Sequence, residues 1–121
     1  MYGRTNRSYF CENRGELQMA KTIDINITNV ARKFADSVRR ENFAFREIYL
    51  FGSYAKNCPQ KDSDIDIAIV TENSDTIFFD ELKLTKLRRN IDNRIEPHII
   101  DKSMLDTPFA REVFATGIKI A

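Results

Sequence analysis

Two aspartates separated by a single residue are the first candidates for chemistry in this sequence. Asp64 and Asp66 stand at the start of an apolar stretch that continues to Val70. Because successive side chains of a β-strand point to opposite faces, both carboxylates are expected on one face, about 6.5–7 Å apart along the strand. Carboxylate oxygens are the ligands that Mg²⁺ prefers, and Mg²⁺ often shares its coordination shell with substrate phosphates. The pair therefore predicts a site for a small metal cluster.

A glycine–serine pair ahead of the aspartates has the properties of a phosphate-binding corner. Ile48–Phe51 is a run of residues that favour a buried strand, and Gly52 and Ser53 follow it directly. Glycine has no Cβ, so the backbone can turn sharply and approach a ligand closely. Ser53 is suited to cap a helix that begins near Tyr54, and the free N–H groups at such a corner attract anions. A phosphate site beside a metal site is typical of phosphoryl or nucleotidyl transfer.

The combination of the two motifs resembles the signature of the DNA polymerase β-type nucleotidyltransferases. Ten residues separate Gly52-Ser53 from Asp64-Ile65-Asp66, and the segment 50–56, Leu-Phe-Gly-Ser-Tyr-Ala-Lys, is most similar to the minimal nucleotidyltransferases of prokaryotes. The resemblance covers about residues 25–121. It implies transfer of a nucleoside monophosphate from a nucleoside triphosphate, here AMP from ATP. Two Mg²⁺ ions are expected at the site, and pyrophosphate is the leaving group.

The resemblance also implies roles for individual residues. A third carboxylate is expected on a neighbouring strand, and Glu96 is the candidate for holding the second metal or helping to deprotonate the attacking hydroxyl. Relatives more often carry Asp there, so the Glu leaves the geometry open. Lys56 stands where relatives often have a basic residue that can meet the triphosphate, and Asn57 replaces their usual glycine. The expected catalytic and metal-binding residues are Asp64, Asp66 and Glu96, and the expected nucleotide-binding residues are Gly52, Ser53 and Lys56.

A calcium-binding loop is an alternative interpretation of the acidic residues. Asp62, Asp64 and Asp66 have the spacing that opens an EF-hand loop. That loop needs glycine at its sixth position and a bidentate Glu at its twelfth, where this chain has Ile67 and Asn73. The EF-hand is therefore rejected, and Asp62 is interpreted as a loop carboxylate.

His98 follows Glu96 by two residues, so both side chains are expected on the same face of the strand. That position brings the imidazole near the expected metals. A lone histidine on a strand is more often a hydrogen-bonded packing residue, so the sequence favours packing and leaves a functional role open.

The predicted fold is α+β, with a small mixed sheet of three to four strands packed with helices in a two-layer, α/β-like arrangement. Helices are predicted over 26–41, 76–92 and 109–116, and strands over 46–51, 65–71, 95–100 and 118–120. After Asp66 the second strand is apolar on both faces, which indicates cover on both sides. Pro97 cannot donate a backbone hydrogen bond, so the third strand is expected at a sheet edge.

Composition limits the classes of function. A chain of 121 residues that is 42% hydrophobic can bury one core. Its net charge of +1 argues against a dedicated nucleic-acid surface, and no apolar run approaches the roughly 18 residues of a membrane span. Cys11 and Cys58 are interpreted as free thiols in a reducing cytoplasm. Residues 1–20 show no clear periodicity and are predicted to be a loosely ordered N-terminal extension of a nucleotidyltransferase domain at 21–121.

The acceptor of the nucleotide is expected to be a second macromolecule, since the chain leaves no room for an acceptor-binding domain. Minimal nucleotidyltransferases resemble the antitoxins that accompany helical HEPN-type toxins, which implies AMP transfer to a tyrosine of such a partner. By analogy with open α/β sheets, the partner is expected to dock over the strand ends that carry the carboxylates. Two alternatives stay open: a non-catalytic module that masks a partner, and an oligomeric enzyme that modifies a small molecule. Nucleotide preference and oligomeric state are not determined by the sequence.

Overall fold

The computed structural model describes residues 25–56, 63–72 and 77–121, without the side chains of 77–79. Its helices are α1 (Ile25–Arg40), α2 (Ile77–Arg88) and α3 (Pro108–Thr116), and its strands are β1 (Glu47–Phe51), β2 (Ile65–Val70), β3 (Ile95–Ile100) and β4 (Ile118–Lys119), with a short 3₁₀ helix at Lys102–Met104. The predicted α+β fold is confirmed. The predicted extension 1–20, Asp62, Asn57 and both cysteines lie outside the described residues.

The helix α2 is shorter than the sequence pattern predicted. It ends at Arg88 instead of continuing to Asp92. The next residues form tight turns, in which Ile91 N–H donates to the carbonyl of Arg88 at 2.9 Å and Asp92 N–H donates to the same carbonyl at 2.8 Å. Apolar Ile91 packs against the core from this turn, so it continued the helical pattern without belonging to the helix.

One mixed sheet with the strand order β3-β2-β1-β4 forms the centre of the molecule. β1 is antiparallel to both β2 and β4, whereas β2 and β3 are parallel and are connected through α2. Among the described strands β3 lies at an edge, as Pro97 predicted. The register aligns Phe51 with Asp66 and Asp66 with Glu96, so three strands bring these side chains side by side.

Helices α1 and α2 cover one face of the sheet. The residues Ile65, Ile67 and Ile69 of β2 are buried on this face, where they meet the apolar stripe of α1, which consists of Ile27, Ala31, Phe34, Ala35 and Val38. This stripe follows the helical spacing that the sequence showed. Each large apolar side chain that is fully buried in this way stabilises the fold by about 1.5–3 kcal/mol.

The short helix α3 covers part of the opposite face. Its buried residues Ala110 and Val113 pack against Ala68 and Val70 of β2. The helix begins where predicted, because Thr107 caps it by accepting a hydrogen bond from the N–H of Ala110 at 3.2 Å and Pro108 occupies its first turn. β2 is therefore buried on both faces after Asp66, as its apolar sequence indicated.

No helix in the described part of the chain is both long enough and apolar enough to span a bilayer.

Candidate active site

The expected catalytic carboxylates meet on the face of the sheet that α3 covers. Asp66 and Glu96 are neighbours in the register of β2 and β3, and together with His98 they offer three donor atoms that all lie within 4.8 Å of one another. The site lies at the carboxyl end of β1 and at the amino ends of β2 and β3. The analogy with open α/β sheets is therefore wrong for β2 and β3, which begin at the site instead of ending there.

Gly52 connects the two sequence motifs in space. Its φ is +79°, a left-handed conformation that favours glycine. A Cβ at this position would collide with the Oδ2 atom of Asp66 and would lie 3.2 Å from its Cγ. The backbone of the glycine corner thus packs directly against the carboxylate of Asp66. The sequence predicted that both motifs serve one site, and this contact gives the physical reason that a glycine is needed there.

His98 lies between the two carboxylates. Its Nε2 atom is 3.7 Å from Oδ1 of Asp66 and 3.8 Å from Oε1 of Glu96, too far for hydrogen bonds. This atom is buried and has no hydrogen-bond partner in the described part of the chain. The carboxylate of Asp66 raises the pKa of His98, burial acts in the opposite direction, and the charges of Glu96 and Glu81 raise it further.

The imidazole ring of His98 is held by two phenylalanines. Phe51 of β1 packs edge-on against it with ring centroids 5.3 Å apart, and Phe109 of α3 lies at 5.8 Å in a tilted arrangement. The packing role that the sequence favoured is therefore present, but the same residue also presents a nitrogen donor to the carboxylates. The sequence feature that pointed to this donor role is the position of His98 two residues after Glu96, on the same face of the strand.

The remaining expected site residues are placed less closely together. Asp64 precedes β2, is exposed, and does not belong to the group of donors within 4.8 Å. Ser53 and Lys56 lie in a turn after β1, in which Lys56 N–H donates to the carbonyl of Gly52 at 3.1 Å. This is a single helical hydrogen bond. The continuation of the helix that was expected from Tyr54 lies outside the described residues, since 57–62 are not described.

Lys56 is paired within the chain. Its Nζ atom lies 3.3 Å from Oε2 of Glu112 on α3. The side chain therefore contacts α3 where the sequence expected it to contact a triphosphate. An ion pair whose glutamate is more than half exposed contributes at most about 1 kcal/mol, so a phosphate group can compete for the lysine.

The donor set fits a divalent cation. Two carboxylates and one imidazole converge, and these are the groups that bind first-row divalent ions in proteins. Among the described residues the buried Nε2 of His98 has no hydrogen-bond partner, and a bound ion would supply one. The absence of a side chain at Gly52 leaves Asp66 free to point toward that position.

The family of the chain follows from a family model, described as polymerase beta nucleotidyltransferase, which matches residues 35–121. This chain belongs to the polymerase β nucleotidyltransferase family. The matched part contains every residue of the expected site. No curated protein matches the chain.

Solved structures share the nucleotidyltransferase fold. A Sulfolobus solfataricus protein assigned as a nucleotidyltransferase is 23% identical, with a TM-score of 0.58 over 78% of this chain and 79% of that chain. The tri-AMPylated Shewanella oneidensis HEPN toxin in complex with the MNT antitoxin matches at 22% identity, with a TM-score of 0.54 over 78% and 71%. A mutant toxin–antitoxin complex, MntA–HpeT, matches at 26% identity, with a TM-score of 0.52 over 72% and 68%. The structural neighbours therefore include nucleotidyltransferases and antitoxins that accompany HEPN toxins.

Proposed function

We propose that this nucleotidyltransferase-family protein moves AMP from ATP to a hydroxyl group, a tyrosine in particular, of a helical HEPN-type partner protein, and acts as the antitoxin of that partner. The observation that carries the proposal is the convergence of Asp66 and Glu96 beside the glycine corner at Gly52. Nucleotidyl transfer needs carboxylates for divalent cations next to a backbone that can approach phosphates closely.

Each residue of the expected site has a role in this reaction. The backbone N–H groups around Gly52 and Ser53 hold the β- and γ-phosphates of ATP, and Lys56 exchanges its contact with Glu112 for a contact with the triphosphate. Asp64, Asp66 and Glu96 would hold two divalent cations, Mg²⁺ by the family resemblance, which supply charge neutralisation on the triphosphate and on the attacking oxygen.

The bonds exchanged are those of an in-line transfer. The acceptor oxygen forms a bond to the α-phosphorus of ATP, the bond from that phosphorus to the bridging oxygen breaks, and pyrophosphate leaves. Glu96 assists removal of the proton from the acceptor hydroxyl. Asp64 must move toward the other carboxylates in the loaded state, because it is exposed and apart from them in this structure.

Two observations support a protein acceptor. The relatives include a complex whose HEPN toxin is AMPylated and which contains the MNT antitoxin. In the present chain Glu96 is exposed, as is 38% of Phe109, which packs on His98, so the described residues leave this side of the site accessible to a large acceptor. The proposal places the reaction in the cytoplasm, where ATP is supplied.

A mass measurement on the partner tests the proposal. The full chain is incubated with ATP, Mg²⁺ and the candidate HEPN-type protein, and the partner should gain the mass of one or more AMP groups. The Asp66→Asn variant should give no gain. If the partner is bound and inhibited equally by wild type and Asp66→Asn without any gain in mass, the protein is a binding module. If AMP is transferred to a small molecule instead, the protein is a small-molecule nucleotidyltransferase and the antitoxin hypothesis is wrong.

A further inference from the structure

The single histidine of the chain has an unusual environment for a packing residue. His98 is the one histidine in the sequence, and its Nε2 atom is buried without a hydrogen-bond partner in the described part of the molecule. A buried polar atom without a partner loses its hydration without compensation and so destabilises the fold. The nearest groups are the carboxylates of Asp66 and Glu96, at 3.7 and 3.8 Å. A direct hydrogen bond does not form at these distances.

The distances are close to those between ligands of one ion. With metal–ligand bonds of about 2.0–2.2 Å, two adjacent ligands of an octahedral Mg²⁺ or Mn²⁺ ion lie about 3.0 Å apart. The two measured separations of 3.7 and 3.8 Å exceed this value by about 0.7–0.8 Å, which rotation of the side chains removes when an ion binds. The rings of Phe51 and Phe109 contact each other and the imidazole in one aromatic cluster, which restrains the ring while its nitrogen lies near the carboxylates.

We propose that His98 is a direct ligand of the divalent cation held by Asp66 and Glu96, and that it makes this site prefer a first-row transition ion such as Mn²⁺ over Mg²⁺. The inference rests on the proposed function, because it concerns the same metal site. Its chemical basis is the donor set: carboxylates accept Mg²⁺ and Mn²⁺, whereas an imidazole nitrogen favours transition ions. Asp64, which lies apart from this group, is not part of the proposed three-residue ligand set.

The test uses Mn²⁺ as the probe, bound to the untagged full chain in the presence of a non-hydrolysable ATP analogue. Pulsed electron paramagnetic resonance detects the nuclear modulation of a nitrogen bonded to Mn²⁺. Since the chain contains one histidine, labelling histidine alone with ¹⁵N assigns the signal. Wild-type protein should show imidazole nitrogen coupling that changes on labelling. The same sample gives the ratio of Mn²⁺ to Mg²⁺ affinity by competition.

Two variants separate coordination from packing. His98→Phe keeps an aromatic ring in the cluster with Phe51 and Phe109 but removes the donor, and it should abolish the coupling and lower the Mn²⁺ to Mg²⁺ affinity ratio by about tenfold or more. Phe109→Leu alters a ring that contacts the imidazole but removes no ligand, and it should retain the coupling. If His98→Phe does not fold, the labelling of wild-type histidine still decides the question.

The possible failures are distinguishable. If Mn²⁺ binds without histidine nitrogen coupling, the inference is wrong, and His98 is an ion-pair partner of the two carboxylates. AMP transfer to the partner can still occur in that case, so the proposed function stands. If Mn²⁺ does not bind with or without the nucleotide analogue, the inference is also wrong. The proposed function fails separately, when the partner gains no AMP with either Mg²⁺ or Mn²⁺.

Discussion

At the scale of single residues, Asp66 is the centre of the candidate site. Its carboxylate packs against the backbone of Gly52 on β1 and attracts the imidazole of His98 on β3. It is about three-quarters buried, so its position is determined by its neighbours more strongly than that of Asp64, which is exposed.

Replacing the aspartates one at a time tests the metal assignment. Asp66→Asn and Asp64→Asn should each lower AMP transfer by at least about a hundredfold, because each removes a charged ligand from a site that neutralises a triphosphate. Transfer is measured by labelled AMP on the partner, and the fold is checked by urea unfolding. Asp36→Asn, which alters an exposed carboxylate on α1, is the control and should retain activity. If either Asp66→Asn or Asp64→Asn transfers AMP at the wild-type rate, the proposed mechanism is wrong.

A side chain at position 52 should disturb both the backbone and the neighbouring carboxylate. Gly52→Ala forces alanine into a left-handed conformation, at a cost of about 1–2 kcal/mol, and adds a collision with Asp66. We expect the free energy of unfolding to fall by more than the cost of the left-handed backbone alone, and we expect metal binding to weaken. Urea unfolding measures the first effect, and metal titration measures the second.

The collision can be isolated with a double-mutant cycle. In an Asp66→Ala background, most of the side chain that Gly52→Ala would strike is gone. The destabilisation caused by Gly52→Ala should therefore be smaller there than in wild type. Equal destabilisation in both backgrounds would show that only the backbone conformation matters.

At the scale of elements, the turn between α2 and β3 determines where Glu96 is placed. Asp92 accepts hydrogen bonds from the backbone and side chain of Arg94, at 2.7 to 3.0 Å. The carbonyl of Arg94 in turn accepts from the N–H of Ile65 at 2.8 Å. These hydrogen bonds align the first residues of β2 and β3, where the carboxylates of Asp66 and Glu96 meet.

Removing the charge of Asp92 should destabilise the fold in a pH-dependent manner. The hydrogen bonds from the Arg94 side chain hold the pKa of Asp92 below its usual value, against an opposing effect of burial. A lowered folded-state pKa stabilises the protein above the unfolded pKa of about 4, and this stabilisation is lost as the pH falls. Asp92→Asn should therefore cost about 0.5–1.5 kcal/mol at pH 7, measured by urea unfolding.

The pH series supplies the control for that prediction. As the pH falls below about 4, Asp92 in the wild type becomes protonated and the two proteins should approach the same stability. A stability difference that is unchanged down to pH 2 would mean that the aspartate acts through packing and not through its charge. Asp36→Asn should show little pH-dependent difference, since both members of its ion pair are exposed.

The contact between the glycine-corner turn and α3 should oppose nucleotide binding. Lys56 is occupied by Glu112 at 3.3 Å, and the proposed function requires it to bind phosphate instead. Glu112→Gln should therefore tighten binding of a non-hydrolysable ATP analogue by up to about fivefold. This factor corresponds to the roughly 1 kcal/mol that an exposed ion pair contributes at most. Isothermal titration measures the change. In a Lys56→Gln background the same substitution should have no effect, and an equal effect there would refute the competition.

At the scale of the whole molecule, the core is formed by α1, α2, α3 and the four-stranded sheet. The N-terminal residues 1–20 lie outside the described part, and the prediction for them rests on the sequence, which offers no periodic apolar face to bury. Deleting residues 1–18 should therefore change the melting temperature by less than about 4 °C, equivalent to under about 1 kcal/mol for a domain of this size. A larger fall would show that the segment packs on the core.

Local patterns in the sequence were enough to predict most of the helices and strands and to identify the two motifs. Apolar periodicity defined α1, and the unbroken apolar run after Asp66 correctly indicated a strand buried on both faces. Pro97 correctly indicated an edge strand. These are local properties, because backbone preference and burial pattern depend on residues that are close in the sequence. The early end of α2 was missed, since Ile91 keeps the helical spacing although it packs from a turn.

Contacts between the functional groups depend on how the strands pair in the folded chain. Strand register placed Glu96 beside Asp66, and the antiparallel pairing of β1 brought Gly52 against the same carboxylate. Neither contact is encoded by local spacing, because the partners lie on different strands and their alignment depends on how the whole sheet packs. The sequence predicted Asp64, Asp66 and Glu96 as one group and left the role of His98 open, whereas the described residues bring Asp66 and Glu96 together with His98.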